Sequence, residues 1–125
     1  MLQGSKILII EDDHDTADYM EALCLELGHN PVVAYDGVTG LLMAATEKPV
    51  LILSDIAMPG LDGFEVARRI RSNHDLDLTK IVAVTGHAPK TPAANQKLFD
   101  AYVIKPFSVE SLETVINKFT SPLAS

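Results

Sequence analysis

The sequence predicts an α/β domain in which a parallel sheet carries helices on both faces. Three observations lead there. Short apolar, β-branched runs alternate five times with stretches of helical period. The interiors of those runs carry no charge, as strands buried on both faces require. The helical stretches open on Asp, Ser or Thr residues placed to cap them. Crossovers between parallel strands are right-handed. The alternation leaves the strand order open, with 2-1-3-4-5 one common solution.

The elements follow in order. Lys6–Ile10 (KILII) forms the first strand and runs directly into Glu11, Asp12 and Asp13. Asp15, with Asp18 three residues on, is the expected cap of the first helix. Its apolar stripe is Ala17, Met20, Cys24 and Leu27, and Gly28 stands where it should stop. Residues 31–35 (PVVAY) form the second strand. Asp36 caps a helix expected to turn Val38, Leu41, Leu42 and Ala45 inward and to end before Pro49. Residues 50–54 form the third strand, and Asp55 follows with the turn Met58-Pro59-Gly60. Asp62 and Glu65 make a capping-box pair for a helix burying Phe64, Ala67 and Ile70. Residues 71–79 read as a polar loop and Lys80–Thr85 as the fourth strand. Thr91-Pro92 opens a short fourth helix over residues 92–99. Residues 102–104 form the fifth strand, and Ser108 caps a last helix with Val109, Leu112, Ile116 and Phe119 inward. The expected organisation is a lead-in over residues 1–5, one domain over 6–119 and a tail over 120–125.

Composition narrows the function. A chain of 125 residues suits one domain, and 47% apolar residues exclude disorder. The apolar runs are too short to span a bilayer, and no signal peptide opens the chain, so no membrane role is expected. The single cysteine, Cys24, leaves no internal disulfide, fits a reducing cytoplasm and reads as inert core. Ten basic against 17 acidic residues give a net charge of −7 without a basic stripe, which argues against nucleic acid. His14, His29, His74 and His87 show no metal-ligand spacing, and Arg68, Arg69 and Arg71 read as a solvated helix face.

The strand ends carry the chemistry. If strands 1 and 3 are neighbours, at least three of the carboxylates of Glu11, Asp12, Asp13 and Asp55 converge in the crevice beyond the sheet, where open α/β sheets bind ligands. Thr85 with Gly86 ends strand 4, and Lys105 before Pro106 ends strand 5. Clustered carboxylates resist ionisation, and a hard divalent cation such as Mg²⁺ relieves this. Asp55 could then act as a nucleophile toward a phosphoryl group held by Lys105 and Thr85.

Four motifs, Glu11-Asp12, DIAMPGLDG at 55–63, VTG at 84–86 and KPF at 105–107, resemble the receiver domains of two-component response regulators and hybrid histidine kinases. The resemblance covers residues 6–119. It implies a flavodoxin-like (βα)5 fold with strand order 2-1-3-4-5. It implies that Asp55 takes phosphate from the phosphohistidine of a histidine kinase or phosphotransfer domain. Mg²⁺ would be held by Asp12, Asp55, the Ala57 carbonyl and Glu11, the last through water. Thr85 and Lys105 would hold the phosphoryl group, and Tyr102 would move with Thr85 to signal an unknown downstream protein. Ala57 and His87 would border the path of the water that removes the phosphate. The resemblance also implies a cis Lys105–Pro106 bond, and a signalling domain rather than an enzyme turning over an external substrate.

Three rivals stand beside it. A nucleotide or flavin binder needs N–H donors after strand 1, where this chain has acids. A phosphohydrolase using Asp55 needs a second acid two residues on, where this chain has Ala57. A module that is never phosphorylated does not need the full set of acids, Thr85 and Lys105.

Overall fold

The computed structural model describes residues 4–86 and 97–121. Five strands, β1 (Lys6–Ile10), β2 (Asn30–Ala34), β3 (Leu51–Asp55), β4 (Lys80–Thr85) and β5 (Ala101–Ile104), pair in parallel in the order β2-β1-β3-β4-β5. Between them lie α1 (His14–Glu26), α2 (Gly37–Glu47), α3 (Gly63–Arg71) and a 3-10 turn (His74–Leu76), and α4 (Val109–Thr120) closes the fold. This is the flavodoxin-like receiver architecture.

Residue parity divides the core. Ile7, Ile9, Leu51, Leu53, Val82, Val84 and Val103 point to one face, where α1 and α4 cover them with Met20, Cys24, Leu112 and Ile116. Leu8, Ile10, Ile52, Ile81 and Ala83 point to the other, against Ala44, Val66, Ala67 and Ile70 of α2 and α3. Both faces of the central strands are therefore dry, which explains their uncharged interiors. Each fully buried Ile or Leu contributes about 1.5–3 kcal/mol.

The structure corrects several local expectations. Asp13 caps α1, accepting from the Thr16 N–H, and Asp15 lies inside the first turn. β2, β3 and β5 each begin or end one residue from the expected bounds. In α2, Val38 and Leu42 are 60% and 67% exposed and Ala45 is exposed, while Gly37, Gly40 and Ala44 are buried. Close approach is the reason: a β-carbon on Gly40 would stand 2.6 Å from Ile10 Cδ1. In α3, Val66 is buried and Phe64 only half-buried. Val109 of α4 is 42% exposed. Arg71 is not a solvated side chain. It donates to the carbonyls of Leu98 and Thr79 at 3.2 and 2.8 Å and pairs with Asp100 at 2.6 Å. Residues 92–96 of the expected fourth helix lie outside the described residues, and Lys97 to Phe99 are not helical. Cys24 is buried in the core, which pushes its thiol up to about 12.

Candidate functional site

Strand register assembles the site. Asp55 is the last residue of β3 and is 5% exposed. Ile10 pairs with Ser54, so Glu11 comes to stand beside Asp55. On the other side Asp55 pairs with Val84, so Thr85 stands one residue beyond. Thr85 pairs with Ile104, and its carbonyl accepts the Lys105 backbone N–H at 2.7 Å. Glu11, Asp12, Asp55, Thr85 and Lys105 thus gather at the carboxyl ends of the strands, the juxtaposition expected if strands 1 and 3 are neighbours.

A tight loop follows Asp55. The Ile56 carbonyl accepts from the Met58 and Gly63 N–H groups at 3.1 and 2.9 Å. Gly60 takes φ +77°, which favours glycine. Met58 is buried beneath the loop, and Ala57 is exposed at its rim. Asp62 then caps α3 by accepting from the Glu65 N–H at 3.0 Å.

Carboxylate oxygens of Glu11, Asp12 and Asp55 all lie within 4.8 Å of one another. Glu11 is fully buried. Burial holds its carboxyl well above the ordinary range, against bonds from Lys105 and the Asp13 N–H that lower it; the Asp55 charge raises it further. Lys105 Nζ lies 2.6 Å from Glu11 Oε1 and 3.5 Å from Asp55 Oδ2. Burial by itself would lower the Lys105 ammonium, but Glu11 and Asp55 outweigh it and raise it. Lys105 therefore bonds Glu11, reaches Asp55 only at 3.5 Å and leaves the exposed Asp12 without its ammonium. Hard oxygen donors, one of them exposed, fit a hexacoordinate cation that keeps several waters. Asp13 does not join the cluster, since its carboxylate caps α1 by bonding Thr16.

The expected switch residues are present in part. Thr85 is 4% exposed. Tyr102 packs its ring on Phe99 at 5.5 Å, and its hydroxyl is buried without a hydrogen-bond partner among the described residues. The Lys105–Pro106 peptide is cis, as the resemblance implies. His87 lies outside the described residues. A groove of about 530 Å³ opens beside Lys105, lined by Asp15, Thr16, Tyr19, Pro106 and Phe107. The sequence does not single out Tyr35, which stacks on His14, two residues beyond Asp12. A lone Tyr at a strand end gives no signal, and only the parallel pairing of β1 with β2 brings the two rings together.

Comparison with known proteins agrees with this geometry. The family model described as response regulator receiver domain matches residues 7–117. The fold is similar to chemotaxis protein CheY4 of Vibrio cholerae (TM-score 0.86, 23% identity, 93% of this chain and 98% of that one). It is similar to the receiver domain of sensor histidine kinase PA1611 from Pseudomonas aeruginosa, solved with a magnesium ion in its active-site cleft (TM-score 0.85, 26% identity, 94% and 98%). It is also similar to the receiver domain of the Francisella response regulator 1452 (TM-score 0.83, 26% identity, 94% and 97%). With the family match spanning nearly the whole chain and the fold in agreement, the protein belongs to the response regulator receiver domains of two-component signalling.

Proposed function

We propose that the domain accepts a phosphoryl group from a phosphohistidine onto Asp55 and relays that state through Tyr102. One observation carries this reading: a carboxylate at the tip of the central strand stands among two further acids, with an ammonium 3.5 Å from it that also bonds Glu11. An Asp55 oxygen attacks phosphorus. The new O–P bond forms as the P–N bond breaks, and that bond's electron pair leaves with the imidazole. Bound Mg²⁺ would offset the charge of the acids and of the phosphoryl oxygens. Asp12, Asp55 and the Ala57 carbonyl would hold it directly, with Glu11 acting through water. Lys105 and the Thr85 hydroxyl hold the transferred oxygens, supplying fixed positive and donor groups where charge develops.

The groove of about 530 Å³ beside Lys105 leaves that side of the site open to an approaching donor. The resemblance to a histidine kinase receiver favours a kinase or phosphotransfer domain as that donor. The domain acts in the cytoplasm as a signalling unit over residues 6–119. Its catalysis is confined to its own phosphorylation and slow dephosphorylation; the resemblance assigns Ala57 and His87 to the water path, and His87 lies outside the described residues. Among the described residues no helix is long and apolar enough to cross a membrane.

The test is intact-protein mass after incubation with Mg²⁺ and acetyl phosphate. The parent gains one phosphoryl mass, and Asp55→Asn gains none. Stoichiometric gain in the variant refutes the assignment.

A further inference from the structure

The His14 imidazole lies flat on the Tyr35 ring, with centroids 3.9 Å apart and planes 8° from parallel. Both residues are exposed, Tyr35 by 40%. Burial does not force two surface rings together, so their position matters more than their area. His14 is the first residue of α1, two beyond Asp12. Tyr35 directly follows β2, next to Ala34, whose carbonyl accepts the Glu11 N–H at 3.0 Å. The β1–α1 connection is therefore fastened to the end of β2 on both sides of Asp12. The backbone bond from Glu11 holds one side, and the ring stack holds the other. Asp12 has an exposed side chain with no hydrogen-bond partner among the described residues. Only the backbone that carries it fixes its place.

We propose that His14 and Tyr35 are a positioning pair that holds Asp12 in register with Asp55 for divalent-cation binding. The inference rests on the cation reading given above. Tyr35 touches neither the cation nor the phosphoryl group. Outer partners of metal ligands commonly set affinity through such orientation. A loop freed from Tyr35 places Asp12 correctly for only a fraction of the time, and apparent affinity falls by that fraction. A competent fraction of about one-third to one-tenth gives a three- to tenfold weaker site.

The test is Mg²⁺ titration of the full chain at fixed pH, followed by amide NMR shifts at residues 11–13 and 55–57. This readout needs no phosphorylation. Tyr35→Ala and His14→Ala are expected to bind about three- to tenfold more weakly, and their combination no more weakly than either one. Tyr35→Phe and His14→Phe, which keep two stacked rings, retain the parental affinity. Parental affinity in Tyr35→Ala, with Asp12→Ala weakened, overturns the positioning role while leaving the cation site intact. Equal weakening in His14→Phe and His14→Ala shows direct action of the imidazole and also overturns it. A parent without Mg²⁺-dependent shifts overturns the cation reading and this inference with it.

Discussion

Gly63 shows how closely single residues fix the phosphoacceptor. A β-carbon there would stand 2.3 Å from the Asp55 carbonyl oxygen and 2.6 Å from Ile56 Cα, both backbone atoms that cannot yield without moving Asp55. Gly63→Ala is expected to cost about 1–3 kcal/mol, the usual range for overpacking, and to slow phosphorylation at saturating Mg²⁺. Urea unfolding and mass kinetics check the two effects, and a parental rate refutes the coupling. Asp12 is the opposite case. It is exposed, repelled by its neighbours and without a hydrogen-bond partner among the described residues. Asp12→Ala is expected to keep the parental urea midpoint or exceed it, because relief of like-charge repulsion favours folding. The same variant should lose Mg²⁺-dependent phosphorylation. An unchanged Mg²⁺ response refutes Asp12 as a ligand. Gly63 thus couples stability to chemistry through the backbone it packs against, whereas Asp12 separates the two.

At the scale of elements, His29 ties together three parts of the chain. Its Nδ1 accepts the Ser5 backbone N–H at 3.0 Å, so that nitrogen carries no proton. Nε2 faces Thr120 Oγ1 at 3.4 Å, and the Thr120 hydroxyl gives its own hydrogen to the Ile116 carbonyl at 2.7 Å. The ring is therefore neutral with its proton on Nε2, and burial holds its pKa below the ordinary histidine range. A lowered folded value means that the contribution is present above the ordinary value of about 6.5 and is lost as pH falls below it. Between pH of about 7.5 and about 5.5 the parent's urea midpoint should fall more than that of His29→Gln. Equal falls refute the tie. Such ties, like the Arg71 network, are poorly legible in a sequence, because they join residues that neighbour each other only after folding. Strand and helix order was legible, since period and caps are local signals. The buried face of α2 was not: apolar counting favoured Val38 and Leu42, whereas close approach to Ile10 selected Gly40.

Across the whole molecule, the acid cluster was legible because a parallel sheet turns strand ends into neighbours, so Glu11, Asp55, Thr85 and Lys105 could be placed together once the resemblance supplied the strand order. How the site communicates with the far face depends on packing that order does not specify. Tyr102 occupies that position. It stands two residues from Ile104, the partner of Thr85 in β5, and its ring continues a chain of contacts through Phe99 to Phe64 on α3. Its hydroxyl is buried without a hydrogen-bond partner among the described residues. An unsatisfied buried hydroxyl costs about 1–3 kcal/mol, so the inward ring is poised against an outward one that water would satisfy. A phosphorylated Asp55 adds charge and acceptor oxygens that draw the Thr85 hydroxyl toward them. On the proposed function, that shift would change the space beside Tyr102 and so the balance between an inward and an outward ring, which would bias the surface formed by β5 and α4. Tyr102→Phe removes the unsatisfied group, and its urea stability should match or exceed the parent's by about 1 kcal/mol. Amide NMR with a beryllofluoride mimic on Asp55 should move resonances of residues 101–104 and 108–116 in the parent. In Tyr102→Phe the ring has no hydroxyl to favour the outward position, so those distant shifts should shrink while shifts at residues 11–13 persist. Distant shifts of parental size in Tyr102→Phe would show that the hydroxyl does not set the balance, and the coupling would have to run by another route.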